Sequence, residues 1–254
     1  MPNTQGRRRR FGAVRELKSG QWQARYRDPD GLMRPADRTF ASKTDAEVWL
    51  TLKEAEIRNG DWINPDDGAV PFGMYAAAWI EERPDLRPKT VQLYKYLLAR
   101  HLAPGFESKT IAEIKEGHVR RWRKKLLDDQ VSAVTTAKAY RLLKAIMNTA
   151  ADDGLIRRNP CRIKGAGQEK SPERPVLTIA QVYALADAID PRYRALVLVG
   201  AFGSLRWGEL AALRRSDIDL EALAIRVERQ LTETARGGLT LGPPKSDAGL
   251  RGVS

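Results

Sequence analysis

The stretch from Leu196 to Leu213 combines residue types that could bind a phosphate group. An apolar run leads to Gly203, and a new apolar pattern with helical spacing opens just after Arg206. We expect Gly203 to permit a turn and Ser204 to cap the helix. Arg206 would then lie at a helix N-terminus, where a guanidinium grips two oxygens of an anion that the helix dipole also favours. Glu209, three residues later, could hold the arginine in place.

The predicted helix has its apolar residues three apart, at Trp207, Leu210 and Leu213. The same pattern fits an ordinary helical corner with a surface salt bridge, and this stretch alone leaves both interpretations open. A second cation, Lys245, follows two prolines downstream of an alternating strand predicted at 224–229. A lone lysine in a turn normally faces solvent, so Lys245 gains importance only together with Arg206.

Residues 203–210 resemble the first-arginine motif of the tyrosine recombinases, or phage integrase family, of the type found in actinobacterial phages and mobile elements. That motif usually reads Thr-Gly-Leu-Arg, one variable residue and Gly-Glu-Leu, whereas this chain has Gly203 and Ser204 at the first two positions. Residues 243–251 resemble the family's β-hairpin lysine segment, in which Lys245 matches the catalytic lysine.

The resemblance implies phosphoryl transfer without a metal or a cofactor. In this chemistry a tyrosine attacks a DNA phosphodiester, forms a 3′-phosphotyrosyl link and releases the 5′-hydroxyl. Fixed cations must stabilise the charge of the transition state. By this resemblance Arg206 holds the non-bridging oxygens, Lys245 protonates the leaving oxygen, and Glu209 helps to orient the site.

The composition favours a nucleic-acid partner. The net charge is +12, and the basic excess is concentrated in the N-terminal arm and between residues 70 and 170. No apolar run is long enough to span a membrane, and the basic N-terminus leads into no signal-peptide core. The lone cysteine, Cys161, excludes an internal disulfide, and we interpret it as structural. His101 and His118 have no partners at metal-ligand spacing, so we expect no metal.

Residues 1–65 predict a basic tail at 1–10 and a small domain of three strands and one helix. The strands are expected at 13–17, 22–26 and 34–40, and Ser42 should cap a helix that ends at Asn59 and Gly60. This order resembles the arm-type DNA-binding domain of integrases, whose sheet enters a major groove. The candidate DNA contacts here are Arg7, Arg8, Arg9, Arg10, Arg15, Gln21, Gln23, Arg25, Arg27 and Arg38.

Residues 70–166 predict a helical bundle. Four apolar stripes appear, the second ending at Pro104 and the last running from Ser132 to about Asp152 before Gly154. The order resembles the SAM-like core-binding domain of the same recombinases, which clamps one side of the crossover DNA. Its candidate phosphate contacts are Lys89, Arg120, Arg121, Arg123, Lys124, Lys125, Lys138, Arg141 and Lys144.

A linker at 165–175 precedes the region 175–254, which resembles the first part of the catalytic domain. Here Thr178 should begin a helix, and a buried helix is expected from Tyr193 to Ala201. The fold class is therefore α+β and mostly α: a three-stranded sheet with a helix, a helical core-binding bundle, and an incomplete mixed α/β catalytic domain.

The resemblance also implies a later histidine, an arginine, a further histidine or tryptophan, and the nucleophilic tyrosine. No histidine follows His118, and the last tyrosine, Tyr193, precedes Arg206, so this chain offers no nucleophile. We therefore expect these 254 residues to bind DNA without cleaving it, as part of a longer integrase or as a truncated product. The alternative is an inactive DNA-binding regulator that competes for attachment sites.

The expected partner is double-stranded DNA, at arm-type and core-type attachment sites, with self-association on the DNA and no membrane. The expected location is the bacterial cytoplasm or nucleoid. An RNA-binding or ribosomal protein would explain the charge but not the pairing of Arg206 with Lys245.

Overall fold

The N-terminal part of the chain forms a three-stranded antiparallel sheet with one helix. The computed structural model describes residues 11–169, 173–233 and 237–254. The sheet has the strand order β1-β2-β3 and is followed by α1. These elements are β1 (Ala13–Glu16), β2 (Trp22–Arg27), β3 (Met33–Pro35) and α1 (Lys43–Arg58).

Helix α1 begins and ends where the sequence predicts. The Ser42 side chain accepts a hydrogen bond from the main-chain N–H of Asp45, which satisfies one of the free donors at the helix start. Asn59 is the C-cap residue, and Gly60 follows it with a left-handed φ of +75°. The inner face of the helix buries Ala46 and Leu50 against the sheet.

The third strand is shorter than predicted. Pairing with β2 reaches Pro35, and the chain then bends before Phe40 forms a single bridge with Trp22. A proline has no N–H to continue a ladder, so the prediction of one strand over 34–40 was wrong. Phe40 nevertheless packs into the small core, which also contains Ala24 and Tyr26.

Helices dominate the middle of the chain. They are α2 (Phe72–Glu81), α3 (Pro88–Leu97), α4 (Ala103–Phe106), α5 (Glu116–Asp128) and α6 (Ala133–Asp152). Phe72, Phe106 and Trp122 form a row of buried rings, with centroids 5.5 and 5.4 Å apart. Rings at that separation pack favourably beyond their burial alone. The predicted α+β, mostly α fold class is confirmed.

The second stripe does not stop at Pro104 as predicted. A π-helical turn over Leu98–Leu102 connects α3 directly to α4. Pro104 lies in the first turn of α4, where the missing N–H costs no intrahelical hydrogen bond. The proline therefore starts a helical segment instead of ending one.

The C-terminal part mixes short helices and strands. Its helices are α7 (Ile179–Ala188), α8 (Arg194–Phe202) and α9 (Trp207–Leu210). Its strands are β4 (Ile218–Asp219), β5 (Ala224–Val227), β6 (Gln230–Glu233), β7 (Leu239–Gly242) and β8 (Arg251–Val253). One sheet has the order β4-β5-β8, and β6 pairs with β7 in a second.

Thr178 caps α7 as predicted, with Gln181 completing a reciprocal capping box. The predicted buried helix is α8, but none of its residues is buried by the described part of the chain. An apolar run alone therefore overestimated its burial. Among the described residues, no helix combines the length and the apolar character needed to cross a bilayer.

The described chain divides into two units. One comprises residues 11–70, 110–113 and 147–159, and the other comprises residues 71–109, 114–146, 160–169, 173–233 and 237–254. The finer division into domains at 1–65, 70–166 and 175–254 stays a prediction.

Gly12→Ala should weaken the N-terminal sheet more than Gly20→Ala. Both glycines have left-handed φ angles, +71° and +77°, which cost an alanine on the order of 1–2 kcal/mol. A Cβ at Gly12 would also lie 2.7 Å from the carbonyl oxygen of Arg25, whereas one at Gly20 meets nothing within 4 Å. Hydrogen exchange of the β2 amides should therefore accelerate roughly 5- to 30-fold in Gly20→Ala and more in Gly12→Ala. Equal acceleration would contradict this packing.

Candidate functional site

The predicted phosphate-binding stretch forms a turn followed by the four-residue helix α9. Arg206 is its N-cap residue, and its main-chain N–H donates to Glu209 Oε2 at 3.0 Å. Ser204, predicted as the cap, instead has a left-handed φ of +51°. The helix ends at Leu210, so the prediction that it reaches Leu213 was also wrong. The Glu209 carboxylate supplies the acceptor that the serine hydroxyl was expected to supply.

Close packing explains two glycines of the motif. An added Cβ at Gly208 would lie 2.6 Å from the carbonyl oxygen of Leu231 on β6. At Gly203 it would lie 2.8 Å from the carbonyl oxygen of Val199, although Gly203 itself has an ordinary helical φ of −80°. Gly203 is therefore needed for close approach, and the left-handed backbone conformation occurs one residue later.

A buried carboxylate links two guanidinium groups at the start of α9. Glu209 is fully buried, with 0% of its surface exposed. Its Oε1 accepts from Arg206 Nη1 at 2.9 Å, and its Oε2 accepts from Arg251 Nη2 at 3.0 Å. The Arg206 side chain keeps 60% of its surface exposed, whereas that of Arg251 keeps 29%. The Arg206 guanidinium is therefore exposed to solvent in an orientation set by the buried Glu209 carboxylate, which Arg251 also contacts.

The electrostatics of this cluster keep Glu209 ionised. Burial alone would raise the pKa of Glu209. The hydrogen bonds from Arg251 and from the main chain and guanidinium of Arg206 outweigh burial, and they lower the pKa to about 2. With two arginines and one carboxylate, the cluster carries a net positive charge and can attract a phosphate oxygen.

Lys245 lies in the connection between β7 and β8, which belong to different sheets. Because β8 pairs antiparallel with β5, Lys245 lies in the long connection between two paired strands, and β6 and β7 form part of that connection. The Lys245 side chain is exposed and makes no hydrogen bond or ion pair with the described residues of the Glu209 cluster. Its main-chain oxygen accepts from Arg87 Nη2 at 2.6 Å, which fixes the backbone of this connection.

The N-terminal sheet gathers four of the predicted DNA contacts on one open face. Along β2 the even-numbered Ala24 and Tyr26 are buried, so the odd-numbered side chains face the opposite way. The strand register places β1 residue 15 opposite residue 23, and residue 13 opposite residue 25. The predicted contacts that share this face are Arg15, Gln23, Arg25 and Arg27.

Two other predicted contacts lie outside the strands. Gln21 accepts a hydrogen bond from the Thr39 hydroxyl, and the Arg38 guanidinium lies over the Phe40 ring, 5.4 Å from its centroid. Arg7, Arg8, Arg9 and Arg10 lie outside the described residues.

Most of the predicted cations on α5 are exposed and paired along the helix. Arg120 pairs with Glu116, Lys124 with Asp128, and Lys125 with Asp129, each at i,i+4 spacing. Exposed pairs of this kind contribute little, about 0–1 kcal/mol, so a phosphate could replace the carboxylate. Arg121 is exposed, whereas Arg123 is half-buried and its Nε has no hydrogen-bond partner among the described residues.

The remaining helical candidates lie on α3 and α6. Lys89 is exposed in the first turn of α3. Arg141 donates to the carbonyl oxygen of Gly167 at 3.0 Å and pairs with Glu169. Lys138 is half-buried and Lys144 is exposed. Lys138, Arg141 and Lys144 follow one another at i,i+3 spacing along α6, so successive ones are neighbours on its surface, whereas Lys89 lies on α3.

The histidines and the cysteine have structural surroundings. His118 Nδ1 accepts from the main-chain N–H of Lys115, and His101 is buried against the Tyr96 ring. Burial lowers the pKa of His101, and it raises the pKa of the Cys161 thiol to about 12. In the part of the chain that the structure describes, no three His, Cys, Asp or Glu side chains are grouped to hold a metal ion.

Sequence reasoning missed two arginines that matter for the site. Arg251 closes the Glu209 cluster, and Arg87 holds the backbone at Lys245. Arg251 lies inside the segment that resembles the family's lysine motif, so its position gave a usable signal. Arg87 gave none, because its partner is a main-chain oxygen far away in the sequence.

Two family models match the chain. The model described as "Phage integrase, N-terminal domain" matches residues 10–59, and "Phage integrase, N-terminal SAM-like domain" matches residues 72–127. An integrase assigned to prophage phiRv2 of Mycobacterium tuberculosis is 39% identical over 257 residues, which cover 97% of this chain and 66% of the relative. The integrase of Mycobacterium phage D29 is 35% identical over 88% of this chain and 61% of its own length. The chain thus spans about two thirds or less of these relatives.

Two solved structures have a similar fold. The integrase of the Tn1549 transposon, in complex with a circular intermediate DNA, matches 72% of this chain and 60% of its own with a TM-score of 0.63 at 24% identity. A lambda integrase dimer bound to a core site matches 93% of this chain and 67% of its own with a TM-score of 0.52 at 17% identity. At these identities the likeness establishes the fold.

Lowering the pH should reduce the difference in stability between wild type and the Glu209→Gln variant. A carboxylate whose folded pKa is lowered stabilises the protein above its ordinary pKa, near 4.5, and loses that contribution as the pH falls through about 2. Glu209→Gln should therefore be less stable at neutral pH, and the difference should shrink between pH 4.5 and 2. Hydrogen exchange in β8 across this range measures it. A constant difference would contradict the lowered pKa.

Arg251→Gln should raise the pKa of Glu209, because the carboxylate loses one of its charged donors. The Glu209 ¹³C carboxyl shift, titrated by NMR, gives this pKa directly. Arg226→Gln is the matched control: it removes the same charge from an exposed position opposite Gly252 on the neighbouring strand. Equal titrations in the two variants would show that Arg251 does not hold the carboxylate.

Proposed function

Because the chain belongs to the phage integrase family of tyrosine recombinases, we propose that it binds the attachment-site DNA of a phage or integrative element. We further propose that it takes part in breaking and rejoining this DNA. The observation that carries the proposal is the buried Glu209 carboxylate, which orients the exposed Arg206 guanidinium. A surface salt bridge at an ordinary helical corner would not require a second arginine, Arg251, on the same carboxylate.

Three regions divide this work in the proposal. Residues 1–65 bind arm-type sites through the open face of the β1–β3 sheet, and the N-terminal tail adds basic charge. Residues 70–166 bind core-type sites through the exposed cations of α3, α5 and α6. Residues 175–254 contribute to the site at the scissile phosphate. The separate basic surfaces support this division.

At the scissile phosphate, Arg206 stabilises the charge that develops on the non-bridging oxygens. A donor that is already oriented needs little reorganisation as the transition state forms, which is why its fixed geometry matters. Glu209 acts as the positioning residue for Arg206. Lys245 gives its proton to the leaving 5′-oxygen, and its exposed ammonium on an anchored backbone suits that role.

Self-association on the DNA belongs to the same proposal, since strand exchange joins two duplexes and each needs its own bound copy. The lambda integrase dimer on its core site gives a precedent for this arrangement. The place of action is then the bacterial cytoplasm or nucleoid, where the DNA lies.

A gel-shift with two labelled duplexes, read again after denaturation, tests this function. One duplex carries an arm-type repeat and the other a core-type site from the encoding element. Salt-sensitive complexes on both duplexes support DNA binding, and protein that stays attached after denaturation reports a covalent link to DNA. Loss of the complexes on denaturation is the result expected of these 254 residues, because no tyrosine follows Arg206, and protein that stays attached would contradict that expectation. No complex on either duplex overturns the proposal.

Single cations on the two surfaces should affect the two duplexes differently. Arg25→Ala should weaken arm-type binding and reduce its salt slope by about 1, and it should leave core-type binding unchanged. Arg121→Ala should weaken core-type binding and reduce its salt slope by about 1, and it should leave arm-type binding unchanged. Binding titrations at several salt concentrations measure both slopes. If either variant weakened both duplexes equally, the assignment of separate surfaces would be wrong.

A further inference from the structure

Arg15 and Gln23 form a hydrogen-bonded pair on the open face of the N-terminal sheet. They lie directly opposite each other in the β1–β2 register. Arg15 Nε donates to Gln23 Oε1 at 2.8 Å. Because a guanidinium can only donate, the amide oxygen of Gln23 must face it and the amide nitrogen must face away. The hydrogen bond therefore sets the orientation of both side chains.

This pair offers hydrogen-bond donors and little else. The Nε of Arg15 is occupied by Gln23, while the two Nη groups of Arg15 have no partner among the described residues. The Gln23 Oε1 accepts from Arg15 with one of its two lone pairs, and the NH₂ group of Gln23, which faces away from Arg15, remains as a donor. A surface that mainly donates favours partners that accept.

The other two arginines of this face are held differently. Arg27 Nη1 donates to the carbonyl oxygen of Gly31 at 3.0 Å, so one nitrogen of its outer edge is already used. Arg25 makes no side-chain hydrogen bond with the described residues, so nothing there fixes its orientation. Arg15 therefore combines a fixed orientation with an outer edge of two free nitrogens.

Two donors on one rigid edge match the edge of guanine in the major groove. Guanine presents O6 and N7 there as adjacent acceptors, whereas adenine and cytosine present an amino donor. The free donor groups of Arg15 and Gln23 meet repulsion at those amino groups. Gln23 is uncharged and neutralises no phosphate, so it adds nothing to the salt-dependent part of DNA binding. Met33, 44% exposed on the same face, adds an apolar surface suited to a thymine methyl group.

We propose that Arg15 reads a guanine in the major groove and that Gln23 both positions Arg15 and donates to an acceptor of the neighbouring base pair. That acceptor belongs to guanine or to thymine O4. The inference rests on the proposed DNA binding by the open sheet face, and it specifies which base that face selects.

Selection of bound sequences from a random duplex library tests the pair, using the full chain. Wild type should enrich one position for guanine, roughly 5- to 150-fold over other bases. Arg15→Lys keeps the charge but loses the two-nitrogen edge, so this preference should fall to a few-fold while the salt slope stays the same. Lys18→Ala, in the exposed turn after β1, is the matched control: it removes one charge near the sheet and should keep the guanine preference.

Variants of Gln23 test whether this residue orients Arg15 or only supports the sheet. Gln23→Ala removes the acceptor for Arg15, so the guanine preference should weaken. Gln23→Glu restores an acceptor, so that preference should return. The preference at the neighbouring position should then change from guanine or thymine towards cytosine, because the cytosine amino group donates a hydrogen bond to the carboxylate. A purely structural glutamine would not change which base is preferred.

A duplex with 7-deazaguanine at the selected position gives an independent reading. Loss of N7 should weaken binding of wild type several-fold and leave Arg15→Lys almost unaffected. If Arg15→Lys and Gln23→Ala select the same sequences as wild type, the inference is wrong while the proposed DNA binding stands. If wild type enriches no sequence, sequence-specific arm binding fails and the inference with it.

Discussion

The buried ion cluster at Glu209 is the interaction on which the C-terminal site depends. It connects the start of α9 to β8 across 42 residues of sequence, and its carboxylate is wholly removed from solvent. A charge in that position is tolerated only when its partners are complete, because removing one partner of a buried pair typically costs about 3–5 kcal/mol. The same completeness gives Arg206 one orientation. Both the stability of the buried carboxylate and the orientation of Arg206 therefore depend on Arg251.

The protein holds its arginines with two kinds of acceptor. Asp217 holds Arg229 at 2.6 Å, and Asp28 holds Arg34, in both cases with a largely buried carboxylate. On the open sheet face the acceptors are neutral: an amide oxygen for Arg15 and a main-chain oxygen for Arg27. A neutral acceptor orients a guanidinium without cancelling its charge. Arg206 is held by a carboxylate and still remains available to an anion, because Glu209 is shared with Arg251 and the cluster keeps a net positive charge.

Local signals were readable from the sequence, and long-range ones were not. Ser42 was predicted as a cap and Thr178 as the start of a helix, because the signals at a helix start involve residues only three apart. The prediction of Ser204 as a cap was wrong, because Glu209 accepts the main-chain hydrogen bond at the helix start. A contact with Arg251, 42 residues later, holds Glu209 there. The alternation of apolar and polar residues along β2 predicted a half-buried strand, but the residues that cover its apolar face, Phe40 and Leu50, lie far along the sequence. The apolar run of α8 predicted burial that the described chain does not provide.

The pairs along α5 bear on how such a basic surface works. Lys124 and Lys125 each have an exposed carboxylate one turn away, and such pairs contribute only about 0–1 kcal/mol. A phosphate that replaces the carboxylate therefore gains nearly its full interaction, and the helix loses little. Each exchange also leaves a carboxylate close to the bound backbone, which offsets part of the attraction. In the DNA complex that we propose, the affinity of this helix is then weaker than its count of lysines and arginines suggests, so selectivity has to come from groups whose orientation is already fixed.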